Sequence, residues 1–188
     1  MDKKKWRALH ATLVLIDESG FNLVSPLKRS WGPRGKTPTA RTSLDHHQHL
    51  NLFGALLVSP KLRKIRLSIR SFRCNLRSEH TILFWKQLLR LIPGDIVLVW
   101  DRHKIHISSV TEKFLQQHPR IHIFHFPICA PELNPMEFIW TQISEHSAGF
   151  APHNIQELVT RIHAGVAQTR TSRKRLLACL KNSELSWK

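Results

Sequence analysis

Three acidic residues stand where a carboxylate can do chemistry. Asp17 closes the apolar run ATLVLID, Asp101 closes IVLVWD, and Glu137 sits in NPMEFIW, just inside a helix start. Strand ends are where ligands collect in α/β folds, so three separate elements would bring three carboxylates together. Taken singly, each acid has an ordinary structural use. Asn134-Pro135-Met136-Glu137 has the order of a capping box, with Asn at the N-cap, Pro at the first helical position and Glu at the third. An aspartate ending a strand often bonds the following turn. Taken together, the three ask for a cation between them. Hard divalent ions prefer oxygen ligands, and a pair about 3.5–4 Å apart activates water or a 3′-hydroxyl and stabilises the leaving oxygen of a phosphodiester. That chemistry cuts and rejoins DNA with no covalent enzyme intermediate.

The charge of the chain points to the same substrate. Of 188 residues, 29 are Lys or Arg and 13 are Asp or Glu, a formal charge of +16 and an isoelectric point near 10.8. So strong an imbalance favours a polyanionic partner, and double-stranded DNA is the leading one. The 41% hydrophobic content is enough for a domain with a real core. No apolar run nears the roughly 20 residues of a spanning helix, and no signal peptide opens the sequence, so a cytoplasmic protein with no membrane partner is expected. Cys74, Cys129 and Cys179 form no CxxC pair, which argues against a zinc knuckle or a disulfide framework. Neither GxGxxG nor GxxxxGK[ST] occurs, which removes the usual signs of a dinucleotide or P-loop enzyme.

The elements that must position the acids follow from periodicity. LVLI is a buried strand stopping at Asp17, and the Gly-, Pro- and Ser-rich stretch after it reads as a hairpin-like excursion pinned by Trp31 and the GPRG turn. NLFGALLV, residues 51–58, is a second strand ended by Pro60. Residues 62–70 alternate, with Ile65, Leu67 and Ile69 on one face and Lys64, Arg66 and Arg70 on the other. Seven basic residues and no acid lie between Lys61 and Arg77. Two uses fit that cationic face: a phosphate-contact surface, or a solvated edge strand protected from aggregation. A helix capped by Ser78 and running to about Leu91 places Ile82, Trp85, Leu89 and Ile92 against a core. Strand IVLVW, a helix over 108–117, a strand over 121–126, the helix from Pro135 and a helix capped by Asn154 complete the pattern, with a basic tail after Arg170 that forms one more short helix.

Some residues invite chemistry that their surroundings do not support. Asp45-His46-His47-Gln48-His49 lacks the spacing and glutamate of an HExxH zinc site and reads as a polar loop. Glu18 adjoins Asp17, but neighbours on a strand face opposite ways, so Asp17 is the one assigned to the metals. Trp140 reads as core.

Three blocks carry a specific resemblance: IDESGF at 16–21 followed by Trp31, Gly35 and Pro38; VLVWDRHKIH at 97–106; and APELNPMEFIW at 130–140. They resemble the catalytic domain of DDE-type insertion-sequence transposases of the mariner superfamily. Asp101 and Glu137 have 35 residues between them, a spacing similar to that of bacterial members. The resemblance implies a ribonuclease H-like fold, with a mixed five-stranded sheet flanked by helices. It makes Asp17, Asp101 and Glu137 the catalytic and metal-binding triad, with two Mg²⁺ ions, or Mn²⁺ as substitute. His106 matches a histidine of the second block and would lie near the site, or else pack at a helix start. Arg102 departs from the family, which has Asn after the second Asp.

The expectation is therefore a single α/β catalytic domain over 1–188, in which the strands of Asp17 and Asp101 lie side by side and Glu137 follows the last strand. Its activity would be divalent-dependent DNA strand cleavage and strand transfer in a bacterial, nucleoid-associated setting. Lys64, Arg66, Arg70 and Arg102 would hold the DNA backbone. The first acid arrives too early for the helix-turn-helix domains that precede this core in full-length relatives, so a separate N-terminal DNA-binding chain is an expected partner, along with a homodimeric assembly. Two rivals are an inactive DNA-binding remnant and a ribonuclease H-like nuclease without strand transfer.

Overall fold

The structure is a computed structural model that describes residues 6, 9–23, 33–36, 48–147 and 152–185. Five strands form one sheet: β1 Thr12–Asn22, β2 His49–Val58, β3 Ile65–Phe72, β4 Ile96–Trp100 and β5 Ile121–His125. The order across it is β3-β2-β1-β4-β5. β1, β2 and β3 form an antiparallel meander, while β4 and β5 join parallel to β1. This is the mixed five-stranded sheet expected from the sequence, with the strands of Asp17 and Asp101 adjacent. Asp17 does not end its strand, however. β1 runs on to Asn22 because β2 pairs with it as far as Asn22 opposite His49. The expected roles of Trp31, Pro38 and the loop Asp45–His47 fall outside the described residues.

Helices cover both faces of the sheet: α1 Ser78–Leu91, α2 Ser109–Gln116, α3 Pro135–Ser147, α4 Ile155–Thr171 and α5 Arg173–Asn182. Alternation along the strands sorts the core into two layers. Leu13 and Leu15 of β1 and Val97 and Val99 of β4 pack with Met136, Ile139, Trp140 and Ile143 of α3 and with Leu158 and Ile162 of α4. Val14, Ile16, Leu98 and Trp100 face the other way, onto Phe84, Trp85 and Leu88 of α1 and Leu115 of α2. The buried stripe of α1 is Thr81, Phe84, Trp85 and Leu88, so Leu89 and Ile82 lie off the centre of the face that periodicity alone assigned. Ser78 opens that helix and is not its cap; the cap position is Arg77, whose N–H donates to His80 Nδ1 at 3.0 Å. Ser108 and Asn154 do cap α2 and α4, accepting from the N–H groups of Thr111 and Glu157. Among the described residues no helix is long and apolar enough to cross a membrane.

β3 differs from its reading as a strand with a solvent-facing cationic side. It begins at Ile65, after a 3₁₀ turn over Pro60–Leu62, so Lys64 precedes it. α1 also lies over its second face. There Gln87 donates to Ser68 Oγ at 2.9 Å, and Arg70 donates to the Leu83 carbonyl and rests on the Phe72 ring.

A close approach between layers occurs at Gly54 of β2. A Cβ built there would overlap Met136 and Trp140 of α3, whereas Gly94 has nothing within 4 Å. α3 therefore lies on β2 only because position 54 has no side chain. Overpacking a tight contact of this kind costs about 1–3 kcal/mol. Gly54→Ala should lower stability in urea unfolding by that amount, while Gly94→Ala should stay within about 0.5 kcal/mol of the unaltered chain.

Candidate active site

β1 and β4 run parallel with Leu15 opposite Val99; two residues further along, Asp17 lies within β1 and Asp101 just past the end of β4. Asp17 lies opposite Gly54 of β2, beneath α3. The gap left by the glycine lets Trp140 reach down, and its indole N–H donates to Asp17 Oδ2 at 2.9 Å. Glu137 is one turn earlier on the same helix, so the bond that anchors α3 also brings the Glu137 charge to bear on Asp17.

The local structure around Glu137 frees its carboxylate. Asn134 Oδ1 accepts from the Met136 N–H at 3.1 Å, while the Asn134 N–H donates to the Pro131 carbonyl at 2.9 Å. The reciprocal half of a capping box is thus already taken by the 3₁₀ turn over Pro131–Leu133. The Glu137 carboxylate makes no hydrogen bond within the described residues, and removal from water raises its pKa. Asp17 is affected more strongly. Burial, then the negative charges of Glu18 and Glu137, push it up to about 8, against the opposing bond from Trp140. A half-buried acid of this kind is uncomfortable when ionised and has room for a positive partner.

Glu18 faces the other layer, as alternation requires, and there it takes part in an arrangement that the sequence did not announce. His106 is fully buried against Trp100, with ring centroids 4.2 Å apart and planes 9° from parallel. Its Nε2 contacts Glu18 Oε1 at 2.7 Å and its Nδ1 contacts Asp101 Oδ1 at 2.8 Å. Asp101 Oδ1 also accepts from the His103 N–H at 2.9 Å. These bonds hold the Asp101 carboxyl below its ordinary range, the His106 bond foremost. Burial alone would push His106 down, but its bonds to Asp101 and Glu18 and their charges outweigh it and carry the ring up to about 9. Glu18, Asp101 and His106 form the tight group of potential ligand atoms among the described residues. Both ring nitrogens stand at hydrogen-bond distance from a carboxylate oxygen, an arrangement that favours the charged form of the ring.

Of the four basic residues expected to meet DNA, Lys64, Arg66 and Arg102 are exposed, while Arg70 is half-buried by α1. Trp140 was expected as core, which it is; its bond to Asp17 was not foreseen.

The site's sequence matches the family described as DDE superfamily endonuclease over residues 12–158. The chain belongs to the DDE superfamily endonucleases. All three acids and His106 lie inside the matched residues. The transposable element Tc1 transposase of Caenorhabditis elegans is 24% identical over 147 residues, covering 73% of this chain and 52% of that protein. The chain thus spans about half the length of the curated relative it matches. Among solved structures, the Mos1 transposase paired-end complex with left transposon end is similar with a TM-score of 0.60 and 14% identity, over 96% of this chain and 59% of that one. The Mos1 mariner paired-end complex with Mn aligns with a TM-score of 0.61 and 14% identity, over 97% and 60% respectively. The fold of this DDE endonuclease is accordingly ribonuclease H-like, as the sequence resemblance implied.

The electrostatics predict how stability follows pH. His106 is raised from 6.5 to about 9, so its contribution is complete below 6.5 and is lost as pH climbs through 9. Asp17 is raised from 3.8 to about 8, so its folded form binds the proton more tightly and stability again falls as pH rises through 8. Without divalent cations, the Tm should drop between pH 6.5 and 9. Differential scanning calorimetry of Asp17→Asn should show a shallower drop over the same window.

Proposed function

We propose that this chain is the catalytic domain of a DNA transposase, cutting DNA strands and joining 3′-hydroxyl ends to a target with Mg²⁺, for which Mn²⁺ can substitute. Two ions held by Asp17, Asp101 and Glu137 are part of the proposal. The observation that supports it is the placement of the acids: β1 and β4 are parallel neighbours in a register that sets Asp17 and Asp101 two residues beyond the Leu15–Val99 pair, and the Glu137 charge acts on Asp17 beneath the Trp140 bond. Family membership and the ribonuclease H-like fold support it.

The donor set suits hard divalent cations. It consists of carboxylate oxygens, and Asp17 is pushed up to about 8 by burial and by negative neighbours, the condition that a divalent ion relieves. When bound, a pair of such ions activates the attacking oxygen and stabilises the leaving one. The chain's own groups prepare for that. Asp17, pushed up to about 8, would have to give up its carboxyl proton to hold an ion, so binding would strengthen with pH. Asp101 offers Oδ2 while Oδ1 stays committed to His103 and His106. Glu137, exposed at the first turn of α3, can adjust its longer side chain to the substrate side.

Lys64, Arg66 and Arg102 supply positive charge for the phosphodiester backbone, which gives affinity with little sequence selectivity. Arg70 is assigned to packing against α1. We place the recognition of transposon ends in a DNA-binding unit outside these residues, whether joined to them or on a separate chain, and the pairing of two ends in a homodimer. The net charge and the 35-residue spacing support a nucleoid-associated role in the bacterial cytoplasm.

The test uses supercoiled plasmid and pre-cut transposon ends with the chain and with Asp101→Ala. Nicking or joining should require Mg²⁺ or Mn²⁺. It should fall at least about a thousandfold in the variant, because several kcal/mol of transition-state stabilisation depend on the ligand set. Equal activity in the two proteins would remove the metal-site reading. Cleavage with no joined product would favour a nuclease without strand transfer.

A further inference from the structure

Asp101 stands one residue past the end of β4 with its side chain about half exposed, a position at which a carboxylate ordinarily samples several rotamers. Here it does not. Its Oδ1 takes two donors, the His103 N–H at 2.9 Å and the His106 ring at 2.8 Å, while no bond engages Oδ2 among the described residues. The second donor is itself held on three sides. Trp100 stacks flat on the ring, Glu18 accepts from Nε2 at 2.7 Å, and the Asp101 carbonyl lies 3.4 Å from Nδ1. The loop that carries the ring is fixed too. The His106 N–H donates to the His103 carbonyl, and Thr111 Oγ1 donates to the Ile105 carbonyl at 2.7 Å.

We propose that His106 is a positioning residue for Asp101. Backed by Glu18 and Trp100, it fixes Oδ1 so that Oδ2 is turned outward, ready to bind a divalent cation. Both ring nitrogens are engaged by carboxylate oxygens, at 2.7 and 2.8 Å, so His106 serves as an outer partner that orients a ligand and has no nitrogen left over to ligate. Outer partners of this kind typically change metal affinity about 10–100-fold when lost. The ordering cost of a mobile carboxylate is met at folding and need not be met again when the ion binds. The inference also gives Glu18 a role distinct from that of its neighbour Asp17: it secures the far side of the ring, on the opposite face of β1.

The inference rests on the reading that Asp101 holds a divalent ion, and the test separates the two. Asn at position 106 places an amide near the site of Nδ1, toward Asp101, whereas Gln places it near the site of Nε2, toward Glu18. Mn²⁺ binding to the full chain is followed by electron paramagnetic resonance of the free ion, with Tm measured alongside. His106→Gln should raise the Mn²⁺ dissociation constant about 10–100-fold, and His106→Asn should stay within about threefold of the unaltered chain, though both lose thermal stability. Affinity that falls equally in both, or in neither, overturns the positioning role, since a merely structural histidine would not distinguish them. If both variants fail to fold, Glu18→Gln, which keeps an acceptor for Nε2, and Glu18→Ala, which removes it, decide the matter: weaker Mn²⁺ binding in the alanine variant alone supports the role, and equal binding overturns it. Failure of the metal reading has a different signature: the unaltered chain shows no Mn²⁺ binding that Asp101→Ala abolishes, and the positioning role then falls with it.

Discussion

A helix resting on bare backbone is the constraint from which the rest follows. Because Gly54 has no side chain, α3 settles against β2 closely enough for the Trp140 indole to donate to Asp17. The bond satisfies a buried indole N–H, partly offsets the cost of a half-buried acid, and sets the rotation of the helix. Glu137, one turn earlier, is then aimed at the same region. A larger residue at 54 would disturb the seat of the helix and with it the approach of Glu137 to Asp17.

Asp17 and Glu18 divide the two faces of β1 between them, and the charge is balanced differently on each. On the face of α3, negative groups gather with little to neutralise them, which is why Asp17 holds its proton to about 8. On the opposite face, Glu18 and Asp101 share a histidine that takes up their charge. Asp101 is tied to that neutralised side through one oxygen, and it follows β4, the strand parallel to β1. In a chain of +16 the two clusters differ in what faces their charge: a histidine on one side, and on the other the Trp140 indole.

Much of this could be read from residue order because the strong signals were local. Continuous apolar runs located β1, β2 and β4, and Asp101 marked the end of β4, whereas Asp17 lies inside β1. Asn134 and Pro135 located the start of α3. What escaped depended on partners distant in sequence. ESGFN is too polar to read as strand, yet β2 recruits it by pairing. The cationic face of β3 looked free because nothing in its alternation reveals that α1 folds back over Ser68 and Arg70. Residues 17 and 140 give no sign of meeting; the one hint was a glycine among bulky residues in NLFGALLV, the mark of a close backbone approach. His106 could be placed near the site by resemblance, but its bridge between Glu18 and Asp101 needed coordinates, since the pair are 83 residues apart in the chain.

The central claim is that carboxylate oxygens of Asp17, Asp101 and Glu137 surround shared divalent ions. Anomalous scattering from crystals of the chain grown with Mn²⁺ tests it most directly. The account predicts manganese peaks bounded by these three side chains, at oxygen distances of about 2.0–2.2 Å, with the His106 ring still on Asp101 Oδ1. Manganese bound instead by His106 and Glu18, or Glu137 turned away from an ion held by the two aspartates, would contradict it.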